Sequence, residues 1–425
     1  MDTALQSGAS ASIYEAFLSN RMKRSFAPST VPHRIFGQGN GFESFRDHFA
    51  RNVSWRDCSL AMLQSSLLAS YKLHHQPTIY MDHFDPAFRM PERIDASPVK
   101  TVRSKIRSWI TSSWMSDLVV MFGGAVPSAD NLDESLERLE TFSARWDFRR
   151  MARDRGAPTD DQLRQGAGSA RWLSTATGLS EDQEVRIVED ATRLGLVHGQ
   201  EPIFLSYEYV VVLGGARLSC QLRPLRAAEI VRSGVDVGRI ALLGAARPVA
   251  ESERDATDTY APGATDEFDL IVAGAVQAFG FSASVFHEER HDDPDNRNLS
   301  WIVRHYDAVT AGRPLHIVAI SAPSSDPLRR RANSADTLLF LIEREKIVRG
   351  SKLLLITSQI YVPYVQLEAL RTVALPQHLL VETIGFPGDR MPPLQGLSNA
   401  NHYLQETRSA IQAARRFCQA YPETN

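Results

Sequence analysis

The stretch FHEERHDD contains residues that could bind a metal ion and activate water. His287, Glu288 and His291 follow the order H-E-x-x-H. Zinc metallopeptidases carry this order on a helix, with both histidines on one face and the glutamate beside the metal-bound water. Here the motif follows SASVF, which reads as a strand, and Pro294 soon blocks a helix. We interpret the stretch as a solvated acidic loop and predict no metal site. A zinc hydrolase is the less favoured alternative.

A second candidate is the turn that follows the apolar run YEYVVVLGG, residues 207–215. Gly214 and Gly215 would let the backbone approach a ligand, and Arg217 and Arg223 lie near a predicted helix N-terminus, which favours anions. The fingerprint G-x-G-x-x-G is absent, so the turn does not indicate a dinucleotide site of the usual kind. Tight packing of the two glycines is the alternative explanation.

Cys220 lies in the same turn, close to two arginines. Such surroundings lower the pKa of a thiol and favour a nucleophile. An inert buried cysteine is the preferred interpretation. The other two cysteines, Cys58 and Cys418, are distant and form no C-x-x-C, which is typical of reduced thiols in a cytoplasmic protein.

Polar residues follow three further apolar runs in the second half of the chain. The carboxyl ends of parallel strands meet at one edge of a sheet, so these residues are expected to lie together. Two of the tips carry arginine, which favours an anionic or zwitterionic small molecule. The predicted ligand-binding residues from these tips are Gly244, Arg247, Ser321, Arg331, Asn333, Thr337, Thr357, Ser358 and Gln359.

Three residues at or near these tips are candidates for proton transfer. Asp336 and Glu288 are candidate bases, and Tyr361 is a candidate proton donor. Ordinary capping and turn chemistry explains each tip equally well. No pair reads unambiguously as a nucleophile with its base, so the sequence leaves the reaction open.

The elements that must position these residues change character near residue 200. Up to residue 200, helical patterns predict a mainly α-helical N-terminal domain; one begins with a capping box formed by Ser180 and Gln183. Residues 201–425 alternate short apolar runs with helical patterns and end in a helix. This alternation predicts an α/β, Rossmann-like, doubly wound, mainly parallel sheet. The predicted strands are 207–215, 238–244, 282–286, 315–323, 352–358 and 378–387.

The composition excludes several classes of protein. Hydrophobic residues make up 43% and charged residues 23% of the 425 residues, and the formal net charge is −3. Nothing in this balance favours a nucleic acid as partner. No apolar run approaches the ~20 residues that span a bilayer. We therefore expect a cytoplasmic protein with a small-molecule ligand, no nucleic-acid partner and no membrane span.

The spacings after residue 205 resemble those of the SanA/YdcF-like family. The opening VVLGGARLSCQLRPLRAAEI is similar to that family's first strand and turn, and RRANSADTLLFL carries Asn333 and Thr337 in register. LLLITSQIYVPYVQLEAL keeps Thr357 and Ser358, but tyrosines stand where the family has histidine and arginine. The resemblance covers roughly residues 205–385. It implies a Rossmann-like fold and S-adenosylmethionine as a candidate cofactor.

Two functions follow as expectations. The first is an enzyme, a transferase that performs group transfer on a nucleotide-like or amino-acid-derived anionic metabolite. The second is a non-catalytic ligand-binding or regulatory protein that uses the same crevice. The lack of a clear nucleophile–base pair favours the second, and the cluster of polar strand tips favours the first.

Overall fold

The structure is a computed structural model that describes residues 88, 98–148, 150, 178–249, 251–310, 312–387 and 399–423. All of them belong to one compact unit, Tyr80–Asn425. Cys58 and much of the predicted helical N-terminal domain lie outside the described residues.

Seven strands form one mixed sheet. They are β1 (Ser206–Leu213), β2 (Asp236–Leu243), β3 (His287–His291), β4 (Trp301–Thr310), β5 (Arg313–Ser321), β6 (Lys352–Ser358) and β7 (Leu380–Phe386). Their order across the sheet is β3-β4-β5-β2-β1-β6-β7. The neighbouring strands β5, β2, β1, β6 and β7 run parallel to one another. At the edge, β4 is antiparallel to β5 and β3 is antiparallel to β4. The prediction of an α/β fold is confirmed.

The described helices flank this sheet. They are α1 (Pro98–Ile110), α2 (Ser113–Met121), α3 (Leu132–Ser143), α4 (Glu181–Arg193), α5 (Arg217–Arg232), α6 (Arg254–Tyr260), α7 (Glu267–Phe279), α8 (Ser334–Arg344), α9 (Val362–Ala369), α10 (Leu375–Gln377) and α11 (Ala400–Ala420). A π-helical turn, Leu370–Ala374, joins α9 to α10. A 3-10 turn, Gln359–Tyr361, follows β6.

Two hydrophobic cores lie on the two faces of the sheet. One face packs against α5 and α7, with Val210, Ile240 and Phe268 fully or almost fully buried. The other face packs against α8, α9, α11 and the helices that precede residue 200, and it includes Val211. Central strands such as β1 and β6 are therefore buried on both faces, which explains their continuous apolar sequence.

The antiparallel edge differs from the prediction. The run SASVF, residues 282–286, is not a strand, and β4 lies outside all the predicted strands. In β4 the buried residues Tyr306, Ala308 and Thr310 alternate with exposed ones, which is the period of a strand with one face on the core. The acidic stretch read as a loop is itself the edge strand β3.

Helix α4 begins and ends as the sequence predicts. The capping box of α4 is confirmed: Ser180 Oγ accepts from Gln183 N–H at 3.3 Å, and Gln183 Oε1 accepts from Ser180 N–H at 3.0 Å. Gly195 follows with φ of 87°, the left-handed region that favours glycine. Buried residues of α1 to α4 share one core with the sheet, and the division of the chain at residue 200 remains a prediction.

Within the residues that the structure describes, none of the helices is both long enough and apolar enough to cross a membrane.

Asp190 is a buried carboxylate in α4 with an unusual environment. Its side chain faces Asp117 of α2, and its Oδ2 accepts no hydrogen bond from the described residues. Burial first, and then the charge of Asp117, raise the pKa of Asp190 from 3.8 to about 6. A raised pKa in the folded state means that the protonated form stabilises the fold; this contribution is complete below about pH 4 and is lost as the pH rises through 6.

Replacing Asp190 with asparagine is therefore expected to stabilise the chain at pH 8 and to change little near pH 4. The expected gain at pH 8 is about 3 kcal/mol, since the pKa of Asp190 is raised by about two units and each unit corresponds to about 1.4 kcal/mol. Urea unfolding of both proteins across pH 4–8 measures the difference. Glu184→Gln, an exposed position on the same helix that does not act on Asp190, is the matched control. A gain that does not depend on pH would contradict this assignment.

Candidate functional site

Arg223 fixes the point where the neighbouring strands β1 and β6 end. It lies in α5, is 4% exposed, and donates from Nη1 to the carbonyl oxygen of Leu213 at 2.7 Å and to that of Gly214. Its Nε and Nη2 each lie 3.3 Å from Ser358 Oγ at the tip of β6. The guanidinium carbon is 5.9 Å from the ring centroid of Tyr361. One buried cation thus ties both strand tips together.

Glu267 is a buried carboxylate near the same strand tips. It is the first residue of α7, directly after the N-cap Asp266, whose side chain accepts from the N–H groups of Phe268 and Asp269. Glu267 is 8% exposed, and its Oε2 pairs with Arg247 Nε at 2.9 Å. The cap directs the start of α7 at the tips of β1 and β2.

The turn glycines let these elements approach each other. A Cβ on Gly214 would lie 2.2 Å from Glu267 Oε1, and one on Gly244 would lie 2.6 Å from the Cα of Phe268. A Cβ on Gly215 would lie 2.8 Å from that of Ser219. Close packing, the alternative explanation offered for Gly214 and Gly215, therefore accounts for both of them and also for Gly244.

Positively charged side chains surround the Glu267 carboxylate. Burial raises the pKa of the Glu267 carboxyl, against the lowering effect of Arg247, Arg331 and Arg223. Three guanidinium groups therefore act on this one buried carboxylate. Such a set of groups can bind an anion and can hold or release a proton beside it.

The structure brings most of the predicted arginines together. Arg223, Arg247 and Arg331 all act on Glu267, and Ser358 and Tyr361 adjoin Arg223. The sequence reading missed Glu267. Its only signal is TDEF, an N-cap followed by acidic first-turn residues, which is common at any helix start.

A second group of predicted residues forms the N-terminal cap of α8. Asn333 caps the helix, and its N–H donates to Asp336 Oδ2 at 2.9 Å in a capping box. Thr337 Oγ1 donates back to the carbonyl of Asn333 at 2.9 Å. Burial acts to raise the pKa of Asp336, but hydrogen bonds from Arg330 and Asn333 outweigh it and hold this pKa below its usual value. Asp336 is thus a fixed anion of the cap.

The remaining strand-tip residues lie in the interior. Ser321 and Thr357 are 3% and 2% exposed, and Gln359 is 1% exposed. Gln359 Nε2 donates to the carbonyl oxygen of Gly195 at 2.7 Å, which joins the tip of β6 to the end of α4. Arg217 begins α5 and is half-buried. These residues are therefore part of the packed interior next to the strand tips.

Glu288 lies apart from the strand tips. It is in the edge strand β3, opposite Arg304, with Oε2 accepting from Arg304 Nε at 2.6 Å. In a strand, His287 and His291 lie roughly 13 Å apart, so the H-E-x-x-H constellation of a helical zinc site does not form. The stretch that the sequence reading placed in a loop is a paired strand.

Cys220 agrees with the preferred interpretation of an inert thiol. It is completely buried, and its Sγ lies 3.2 Å from the carbonyl oxygen of Gly215. Burial raises the pKa of this thiol strongly, which outweighs the lowering effect of Arg223 and Arg247. A thiol in this state is a poor nucleophile.

Comparison with known proteins places the chain in a family. The sequence profile described as the Rv3785 N-terminal domain matches residues 93–195. "Uncharacterized protein Rv3785" of Mycobacterium tuberculosis (strain ATCC 25618 / H37Rv) is 37% identical over 322 residues, which cover 74% of this chain and 89% of that relative. The chain belongs to the Rv3785 family. "Uncharacterized protein Mb3814" of Mycobacterium bovis matches with the same identity and coverage. No solved structure matches the chain.

Membership in the Rv3785 family corrects the resemblance inferred from the sequence. The chain was expected to resemble the SanA/YdcF-like family, and that expectation is wrong. The motifs that suggested it are a glycine turn, a helix cap and a strand end, and Asn333 and Thr337 serve the cap of α8. Such short motifs recur in α/β proteins because turns and caps require the same residue types.

Proposed function

We propose that this chain binds a small anionic metabolite at the carboxyl ends of β1, β2 and β6 and performs group transfer on it. The observation that carries the proposal is the convergence of Arg223, Arg247 and Arg331 on the buried Glu267. A phosphate or carboxylate group would pair with these guanidinium groups. Fixed donors in a buried crevice favour bound anions more than exposed ones do.

Arg223, Arg247 and Glu267 would have different roles. Arg223 is held by two carbonyl groups and Ser358, so it is a rigid support. Arg247, with a side chain 30% exposed, is accessible to a ligand and would exchange part of its contact with Glu267 for the ligand's oxygen atoms. Glu267, whose pKa is raised by burial, would accept or return a proton beside the bound group.

Tyr361 and Asp336 differ in how well they suit the roles predicted for them. Tyr361 adjoins Arg223 at the tip of β6, which keeps it as the proposed proton donor. Asp336 is paired with Arg330 and with the cap of α8, so its best role is to hold Arg330 and the loop before α8 in place. We propose Glu267 rather than Asp336 or Glu288 as the base.

The proposal includes the finer description of the fold as Rossmann-like and doubly wound. The five parallel strands stand across the sheet in the order β5-β2-β1-β6-β7. If they alone are numbered along the chain, this order is 3-2-1-4-5. The order reverses between β1 and β6, and ligands of doubly wound sheets bind at that point. Arg223 spans those two strands, which supports the same location for the ligand.

The ligand class remains nucleotide-like or amino-acid-derived. S-adenosylmethionine entered through a resemblance that the comparisons overturn, so it stands in the proposal only as one of the ligands to be tested. The alternative is a non-catalytic ligand-binding or regulatory protein with the same crevice. The burial of Ser321, Thr357 and Gln359 favours this alternative, since few polar groups are left to act on a substrate.

We propose a cytoplasmic protein without a nucleic-acid partner. Cys220 and Cys418 are free buried thiols in the structure, which is typical of a reducing compartment. The formal net charge of −3 does not favour binding to a polyanion.

A ligand panel separates the enzyme from the binding protein. Thermal unfolding is measured with inorganic pyrophosphate, ATP, a UDP-sugar, S-adenosylmethionine and S-adenosylhomocysteine. A ligand at one hundred times its Kd is expected to stabilise the folded state by about 2.7 kcal/mol. The ligand that shifts the transition is then incubated with the protein and followed by mass spectrometry. Product indicates transfer chemistry, binding without product indicates the alternative, and no shift with any anion would contradict the crevice.

A further inference from the structure

A second group of ligand-type side chains lies on the edge hairpin of the sheet. His287 of β3 and His305 of β4 are directly opposed in the antiparallel pair, with ring centroids 6.0 Å apart. Glu289 lies two residues beyond His287 and therefore points to the same face. One nitrogen or oxygen atom from each of the three residues lies within 4.8 Å of the others.

A relay of hydrogen bonds orients one of these histidines. His316 of β5 has its Nδ1 3.2 Å from Asp307 Oδ1 and its Nε2 3.1 Å from His305 Nδ1. A carboxylate only accepts, so His316 Nδ1 carries a proton and its Nε2, in the neutral ring, accepts from His305 Nδ1. This leaves the lone pair of His305 on Nε2. Carboxylate–histidine relays of this kind orient metal ligands and increase their basicity.

The carboxylates near His305 are those of Glu289 and Glu345, and each is paired with an arginine. Arg344 lies 3.6 Å from Glu289, and Arg239 pairs with Glu345. These ion pairs keep the local charge close to balance before a cation binds.

We propose that His287, Glu289 and His305 bind a divalent transition-metal ion at this edge of the sheet. Two imidazoles and a carboxylate suit zinc and its neighbours in the first transition row, and three protein ligands leave a coordination position open. Tetrahedral ligands at zinc lie roughly 3.4 Å apart, so the group must contract by about 1 Å. His287 and Glu289 are both exposed side chains, which allows this movement.

This site is not the H-E-x-x-H motif and is independent of the proposed anion crevice. His291 lies beyond reach at the other end of β3, beside Trp301, and takes no part. His305 pairs with Val318 in the middle of β5, away from the strand tip at Ser321. The carboxylate ligand is Glu289. In a helical H-E-x-x-H motif the glutamate would be Glu288, and it would act on the metal-bound water as a base.

The test is titration of the untagged full-length chain with Zn²⁺ by calorimetry and with Co²⁺ by absorbance. One metal ion is expected to bind, with a Co²⁺ spectrum of nitrogen and oxygen ligands. His305→Ala is expected to lose this binding. Glu289→Gln is expected to weaken it at least tenfold, and because residue 289 is exposed this substitution should not disturb the fold. His316→Ala is expected to weaken it about 10- to 100-fold, as the loss of an orienting partner does.

His291→Ala is the matched control, because it removes an exposed histidine from the same strand. It is expected to bind Zn²⁺ as the unaltered chain does. Equal affinities for the unaltered chain, His305→Ala and Glu289→Gln would overturn the proposal. So would a Co²⁺ spectrum with the thiolate charge-transfer band, since cysteine would then hold the ion.

Discussion

Arg223→Met is expected to lower the free energy of unfolding by about 3 kcal/mol. The substitution removes the donor that serves the carbonyl groups of Leu213 and Gly214 and also Ser358 Oγ, and buried acceptors without a donor cost about 1–3 kcal/mol each. Urea unfolding at constant pH measures the change. Arg329→Met, an exposed arginine in the loop before α8, is the control and is expected to change stability by less than about 0.5 kcal/mol.

The same variant tests whether Arg223 is a rigid support. If it is, the tips of β1 and β6 separate and amide exchange accelerates at the end of both strands, because the cation is the link between them. Faster exchange at only one strand end would show that the two tips are held independently. An unfolding energy like that of the control would contradict the role assigned to Arg223.

Gly274→Ala is expected to lower the free energy of unfolding by about 3 kcal/mol, because α5 and α7 touch at this glycine. A Cβ there would lie 2.1 Å from the carbonyl oxygen of Cys220 and 2.5 Å from Tyr260 Oη. The carbonyl is helix backbone and moves only if α5 moves as a whole. The measurement is chemical unfolding of the variant and the unaltered chain.

Ala273→Ser is the control for this helix. Residue 273 is the neighbour of Gly274, it is half-buried, and the substitution adds a single oxygen atom. It is expected to change stability by less than about 1 kcal/mol. A gain in stability for Gly274→Ala, as helix propensity alone predicts, would show that the two helices are not in close contact.

The parallel part of the sheet was predictable because its strands are buried on both faces. The run KLLLITS predicts β6 with its observed bounds, Lys352–Ser358. The antiparallel hairpin was not predictable in the same way. β4 carries Arg304, His305 and Asp307 among apolar residues, a mixture that fits a helical period as well as an alternating one.

The candidate site was predictable only in part, for a related reason. The arginines follow strand ends in the sequence, so their convergence follows from the parallel order. Glu267 reaches the crevice from the start of α7, and nothing in the sequence distinguishes it from an ordinary first-turn acid. Likewise the metal ligands proposed at the edge come from two strands, and only the pairing of His287 with His305 reveals them.

The central claim is that the strand-tip arginines bind an anion, and titration of inorganic pyrophosphate tests it most directly. Calorimetry is run on the unaltered chain, on Arg247→Gln and on the exposed control Arg329→Gln. We expect Arg247→Gln to raise the Kd at least tenfold, a loss of about 1.4 kcal/mol, and the control to match the unaltered chain. Equal affinity in all three proteins, or no binding to any of them, would contradict the claim.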